Sequence, residues 1–340
     1  MHFRTKPAAL AAATALLACA GAHAGSDDWE APVTNATTNA ASAAATAASP
    51  ATAVKVVFVI AMENHDAGEI YGNKTDAPYI NNTLIPAYAH TTNFVDELPT
   101  SIPSEPHYVW MDAGTNAFSD HTFTGDGDPT SSNSTSSTAH LATQITNAGN
   151  GTSWMSYQEG IVKKKTGLCP ITSSGNYAAK HDPFVFFRDV AGSPPSKTNT
   201  YCSSHHKDYS ALAADLAAGT VATYNFITPN LCHDMHGGSG CASNTIKAGD
   251  QWLQSNLPAI ISYANAHNGV IYLTWDEGEN TTQIPFLAIG PHVKAGYAGG
   301  VKYTHSSMLK SVEESLALAV LPTVSSANDL SDLFVSGFFP

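Results

Sequence analysis

Three apolar runs in this sequence end in residues that bind metal ions. Residues 54–62 (VKVVFVIAM) lead directly into Glu63-Asn64-His65, and residues 269–275 into Asp276-Glu277-Gly278-Glu279. Residues 221–228 lead into a stretch that carries Asn230, His233, Asp234 and His236. Carboxylate and amide oxygens suit a hard divalent cation such as calcium, magnesium or manganese, and imidazole also admits zinc or iron. Any one of these clusters reads equally well as a capped helix start or a polar turn. Three of them, each after a buried run, point to a shared metal-binding edge.

A fourth segment offers a nucleophile. In residues 98–110 (LPTSIPSEPHYVW), Ser104 precedes Glu105-Pro106 and an apolar helical run. One reading is structural, with Ser104 as the helix N-cap and proline in the first turn. The other is chemical. A hydroxyl at a helix N-terminus lies where phosphate binds well, and a nearby metal ion lowers its pKa toward a nucleophilic alkoxide.

These residues need a frame, and the apolar pattern supplies one. The runs 54–62, 221–228, 269–275 and 284–289 are short, β-branched and apolar on both faces, which predicts strands of a covered sheet. Between and after them, 209–218, 247–266 and 306–319 carry apolar residues at helical spacing. Such alternation predicts an α/β fold, a mostly parallel central sheet flanked by helices, with its chemistry at the carboxyl ends of the strands. One domain is expected over 54–340. Residues 25–53 are Ala, Thr, Ser and Asn with almost no large apolar side chains, a low-complexity tether. Residues 126–138 read as a Ser/Thr-rich surface loop whose Asp126 and Asp128 either take a cation or are simply solvated.

The N-terminus reads as a signal peptide over 1–24. Arg4 and Lys6 form a basic start, residues 8–20 an uncharged apolar run, and Ala22-His23-Ala24 a small-x-small cleavage site. A lesser alternative is lipoprotein processing at Cys19. The run is too short to span ~30 Å of hydrocarbon, and no later stretch is long enough, so no transmembrane segment is expected. Export to the periplasm or medium fits the remaining cysteines. Cys169, Cys202, Cys232 and Cys241 are an even set with three possible pairings, and the short 232–241 loop favours 232 with 241 and 169 with 202. A zinc site is disfavoured, because these spacings match no common pattern. The 340 residues carry 15 Lys and Arg against 28 Asp and Glu, a formal charge of −13, which argues against a nucleic-acid partner.

Eight segments, MENHDAGEIY, PSEPHYVWMDAG, KHDPFVFF, TPNLCHDMH, AGDQWL, TWDEGE, IPFLAIGP and YTHSSMLKSVEE, occur in that order from residue 62 to residue 314. Together they resemble the bacterial and fungal acid phosphatase and phospholipase C family of exported phosphoesterases, similar in fold to alkaline phosphatase. The resemblance implies that Glu63, Asn64, Asp276 and Glu277 hold one divalent metal ion, and that Ser104 is the nucleophile, with Ser101 the lesser neighbour. It implies that His181, His236 and His305 offer charge or a proton to the phosphoryl or leaving group. One departure stands out: His107 occupies the place of the family's asparagine, so any grip on phosphate there depends on its protonation.

The implied activity is metal-dependent hydrolysis of phosphate monoesters through a phosphoserine, phosphoinositides included, which makes the chain a phosphoric monoester hydrolase. Histidines of ordinary pKa, near ~6.5, become cationic in acid, so an acid optimum is expected. The alternatives are a phospholipase C acting on phospholipid headgroups and a non-catalytic surface binding module. The oligomeric state is not legible. Outside the motifs, His205, His206 and Lys163 to Lys165 are expected on the surface, Asp250 as the cap of the following helix, and Phe184, Phe186 and Phe187 in the core.

Overall fold

Every residue of β1 (Val56–Met62) and of β6 (Gly269–Trp275) is buried, the pattern of strands covered on both faces. The computed structural model describes residues 54–161 and 167–340. Around β1 runs one eight-stranded sheet. Its order is β4 (His206–Asp208), β3 (Trp154–Gln158), β5 (Tyr224–Thr228), β1, β6, β7 (Phe286–Ile289), β2 (Ala89–Thr91) and β8 (Ala298–Gly299). β1 pairs in parallel with both β5 and β6, and β3 with both β4 and β5.

Register fixes where the chemistry falls. Met62 lies opposite Trp275, Ile60 opposite Ile227, and Gln158 opposite Thr228. The carboxyl ends of β3, β5, β1 and β6 are therefore nearly level, and whatever follows them shares one rim.

Helices cover both faces. Phe58 of β1 meets Tyr263 of the Thr245–Ala266 helix edge to face. Phe226, one register position on and so on the opposite face, meets Tyr108 of the Ser104–Ala113 helix in the same way. Phe184, Phe186 and Phe187 are fully buried, as expected.

Several sequence expectations change. β7 runs antiparallel to β6, because residues 276–285 between them hold no helix and are too few for a parallel crossover. The helix expected from 247 begins at Thr245, capped by Asn244, whose side chain accepts from Lys247 N. Asp250 does not cap that helix. It is buried inside it and accepts from Tyr79 N and Ile80 N, both at 2.9 Å, closing the turn where another helical segment starts. His206 is not on the surface either: it opens β4, buried, with Nε2 3.1 Å from Asp182 and Nδ1 2.6 Å from the Cys202 carbonyl. His205 stacks on Trp154. The signal peptide, the tether, Cys19 and the Lys163–Lys165 run lie outside the described residues.

Both expected disulfides are present, Cys169–Cys202 and Cys232–Cys241. The first closes a 33-residue separation, for which loop-closure entropy gives about 2–4 kcal/mol. A Cys169→Ser, Cys202→Ser double variant is expected to lose about that much stability in urea titrations.

Candidate active site

Ser104 is not a cap. Pro103, in extended backbone, is the N-cap of the Ser104–Ala113 helix, and Ser104 is its first residue. The capping work is done from a distance, since Asp126 Oδ1 accepts from Glu105 N at 3.0 Å. That leaves the Ser104 hydroxyl available to the site. Its Oγ lies 3.2 Å from Glu63 Oε2, 3.2 Å from Glu277 Oε1 and 3.4 Å from Lys180 Nζ. Ser101 is exposed in the preceding turn.

The strand ends are tied to one another by their own backbone. Asp276 N donates to Met62 O at 3.0 Å, and Glu63 N to Asp234 O at 2.7 Å. Asn64 has φ +43°, a left-handed conformation that asparagine tolerates better than most residues, and its backbone N–H donates to Asp276 Oδ1 at 3.2 Å. Its side-chain amide lies 2.5 Å from Glu63 Oε2 and 3.3 Å from Asp276 Oδ1. With nitrogen turned toward them, the amide donates to both. With oxygen turned toward them, three oxygens converge in the way that a cation requires.

Asp234 reaches the same place through a built turn. Met235 takes φ +83° and packs on Gly249, where an added Cβ would come within 2.3 Å of the Met235 side chain. The glycine of the AGDQWL segment thus lets the helix approach this turn. Cys232–Cys241 staples the loop beside it. His181 completes the group, with Nε2 3.1 Å from Glu63 Oε1, Nδ1 3.5 Å from Asp234 Oδ2, and its ring stacked on Tyr108. Ligand atoms of Glu63, His181 and Asp234 all lie within 4.8 Å of one another.

Four buried carboxylates therefore crowd one rim: Glu63, Asp234, Asp276 and Glu277. Burial pushes Glu63 up to about 7 and Glu277 up to about 7. Burial, with the like charge of Glu63, holds Asp234 and Asp276 well above the usual carboxylate range. Glu63 Oε1, His181 Nε2, Asp234 Oδ2 and Asp276 Oδ2 complete no hydrogen bond. Burial and the Lys180 charge hold His181 well below its ordinary value, which favours the neutral ring. A neutral imidazole and oxygens buried without partners are poor packing but good ligands, and the donor set fits a divalent cation.

The remaining histidines have different surroundings. His107 is fully buried behind Ser104, with Nδ1 2.9 Å from Asp96 Oδ2 and Nε2 3.0 Å from the Ile102 carbonyl and 3.7 Å from Glu277 Oε2. Burial alone would lower its pKa, but Asp96 and Glu277 outweigh that and raise it. Nε2 is thus engaged by the Ile102 carbonyl, while Nδ1 lies beside Asp96 Oδ2 without completing a hydrogen bond. His305, also fully buried, donates from Nε2 to the Asp276 carbonyl at 2.7 Å. His236 is exposed, its ring 6.0 Å from that of His181.

Sequence reasoning brought Glu63, Asn64, Ser104, His181, Asp276 and Glu277 to one place; it set Asp234 on the shared edge without naming it a ligand, read Asp126 as a cation ligand or a solvated acid, and gave Lys180 no role. Asp234 carried a signal, a carboxylate after the third strand. The pairing of Lys180 with Asp126 carried none, because they are 54 residues apart and meet only through the folded loop.

The chain has relatives among known proteins. Residues 83–319 match the Phosphoesterase family, to which the chain belongs. A phosphatidylinositol-3-phosphatase of Mycobacterium tuberculosis is 28% identical over 280 residues, 82% of this chain and 82% of that protein. A phosphate-repressible acid phosphatase of Penicillium chrysogenum is 26% identical over 179 residues, 50% of this chain and 40% of that one. In fold, the chain is similar to murine ectonucleotide pyrophosphatase/phosphodiesterase 5, with TM-score 0.53 and 11% identity over 83% of this chain and 100% of that chain. A protein of the alkaline phosphatase superfamily from Vibrio parahaemolyticus aligns with TM-score 0.49 and 13% identity over 82% of this chain and 70% of that chain. The α/β architecture expected from the sequence is the one found.

A pH dependence follows for protein stripped of metal by a chelator. A carboxyl whose pKa rises on folding stabilises the folded state while protonated, and that stabilisation is lost as pH climbs through the folded value. With Glu63 and Glu277 raised from 4.5 to about 7, chelated protein is expected to lose stability between about pH 4.5 and 7. Added divalent cation is expected to raise Tm most at the upper end of that window. Thermal scans at several pH values, with and without the cation, check both.

Proposed function

We propose that this protein is an exported, metal-dependent phosphoric monoester hydrolase of acid phosphatase type, with Ser104 as nucleophile. The observation that carries the reading is the position of Ser104 Oγ, at a helix start and 3.2 Å from carboxylates of two different strand ends. Phosphoinositides are included among its substrates. The support is the relation to a phosphatidylinositol-3-phosphatase along 82% of both chains.

We assign Glu63, Asn64, Asp276 and Glu277 to one divalent cation, with Asp234 and His181 alongside. When bound, that ion would supply Lewis acidity at the phosphoryl oxygens and favour the ionised hydroxyl. The chain's own residues do the rest. Ser104 attacks phosphorus in line, its proton passing to an adjacent carboxylate, and a phosphoserine forms as the alcohol leaves. Water then attacks phosphorus and restores the hydroxyl. His236, at the exposed side, is assigned to the leaving-group proton. His305, through the Asp276 carbonyl, keeps that carboxylate in place. His107 Nε2, 3.7 Å from Glu277 Oε2, backs that carboxylate.

Export is supported by the leader-like residues 1–24 and by two disulfides. Among the described residues no helix is long and apolar enough to cross a membrane. The intact mass of the exported protein should correspond to loss of residues 1–24; a mass retaining them would contradict this.

The test is hydrolysis of p-nitrophenyl phosphate, bis-p-nitrophenyl phosphate and phosphatidylcholine from acid to neutral pH, with and without chelator. Monoester activity is expected, falling at least ~10³-fold in Ser104→Ala. A preference for phosphatidylcholine would make the protein a phospholipase C instead. No turnover of any of the three with metal resupplied would leave a binding module.

A further inference from the structure

Lys180 stands beside the nucleophile and has no part in the scheme above. Its Nζ is 3.4 Å from Ser104 Oγ and 2.5 Å from Asp126 Oδ2. Its side chain is 18% exposed, while Glu63 and Asp276 beside it are fully buried, so it lies where the site opens to solvent. Burial alone would lower its pKa, but the charges of Glu63 and Asp126 outweigh that and keep the ammonium protonated.

The lysine is held at both ends. Its backbone belongs to the Ala179–His181 turn, fixed by Ala179 N donating to Ser173 Oγ at 2.9 Å. Its head is held by Asp126, whose other oxygen receives Glu105 N. The Asp126 loop is in turn clamped by Glu105 Oε2, which accepts from Gly127 N at 2.7 Å and Asn133 Nδ2 at 3.1 Å. Asp126, though exposed, is thus engaged by both Glu105 N and Lys180. Asp128, the other acid of this loop, receives Ser173 N.

We propose that Lys180, positioned by Asp126, takes a non-bridging oxygen of the phosphoryl group and makes this site select phosphate monoesters over diesters. The inference rests on the reading of Ser104 as the attacking group. Phosphorus poised for attack lies about 3–3.5 Å from Oγ, which brings its outer oxygens within hydrogen-bonding reach of Nζ. An ammonium has three donors; one is used by Asp126, so others remain for the substrate. A monoester dianion presents three charged non-bridging oxygens and a diester monoanion only two. The third position in a diester is an ester oxygen bearing carbon, a poor partner for an ammonium among buried acids. Lys180 therefore contributes to the monoester and little to the diester. Lys180 is a catalytic residue in this account and Asp126 a positioning residue.

The test measures kcat and KM for p-nitrophenyl phosphate and bis-p-nitrophenyl phosphate on metal-loaded full-length protein, wild type against Lys180→Met, Lys180→Arg and Asp126→Asn. Lys180→Met is expected to lower monoester kcat/KM by about 10²–10³ and diester kcat/KM by less than about tenfold. Inorganic phosphate should inhibit it more weakly by a similar factor to the monoester loss. Lys180→Arg is expected to keep most of the monoester preference, and Asp126→Asn to raise monoester KM more than it lowers kcat. Equal losses on both substrates, or an unchanged ratio, would overturn the proposal. If Lys180→Met misfolds by circular dichroism, the monoester-to-diester ratio of Asp126→Asn decides: a fall supports the proposal and no change refutes it. Ser104→Ala separates the two claims. Activity surviving in it would sink the nucleophile assignment, while weakened phosphate binding in Lys180→Met would still support the lysine contact.

Discussion

Four carboxylates kept away from water at the level ends of adjacent parallel strands are the constraint to which the rest of this fold answers. Glu63 follows β1, Asp276 and Glu277 follow β6, and Asp234 ends the turn that leaves β5. Like charges so placed repel, and desolvation adds to the cost. Such an arrangement persists when the surrounding structure over-determines it. Here the backbone does so: Asp276 N to Met62 O, Glu63 N to Asp234 O, and Asn64 N to Asp276 Oδ1 link the three strand ends directly.

Several features at a distance make sense as parts of that frame. The Gly249 contact lets a long helix press on Met235 and hold the Asp234 turn, and the Cys232–Cys241 bridge closes the loop that follows it. Asp96 and Glu97 keep two more elements in register, Asp96 through His107 and Glu97 by receiving the His305 and Ser306 amides at the start of the His305–Ser315 helix. Lys180 is the cation on the open side. A phosphoryl dianion entering between a divalent cation and Lys180 would meet positive charge on both sides, which is the electrostatic arrangement that phosphoryl transfer needs.

Legibility in the sequence followed burial and chain proximity. β1 and β6 were plain because continuous apolar runs have few other uses. β3, with sequence WMSYQ, was hidden because its Ser156 and Gln158 are buried polar residues, satisfied by Asp182, Thr228 and one another. β2, β4 and β8 have three, three and two residues, too short for any period to appear. In the site, Glu63, Asn64, Asp276 and Glu277 stood out because each directly follows a strand. Lys180 and Asp126 did not, since only the folding of the 126–138 loop onto the helix start brings them together. The place of His107 was visible in the sequence, but its contacts with Asp96 and Ile102 came only with the fold.

The central claim is that phosphate passes through Ser104. Metal-loaded protein should be mixed with a phosphate monoester, quenched in acid within one turnover and digested, and the phosphate located by tandem mass spectrometry. The account predicts phosphate on Ser104 in the SIPSEPHY segment, in a yield that falls when chelator is present. Phosphate on His236 or another histidine, under a quench that preserves phosphohistidine, would contradict it. So would a burst of released alcohol with no phosphate attached to the chain.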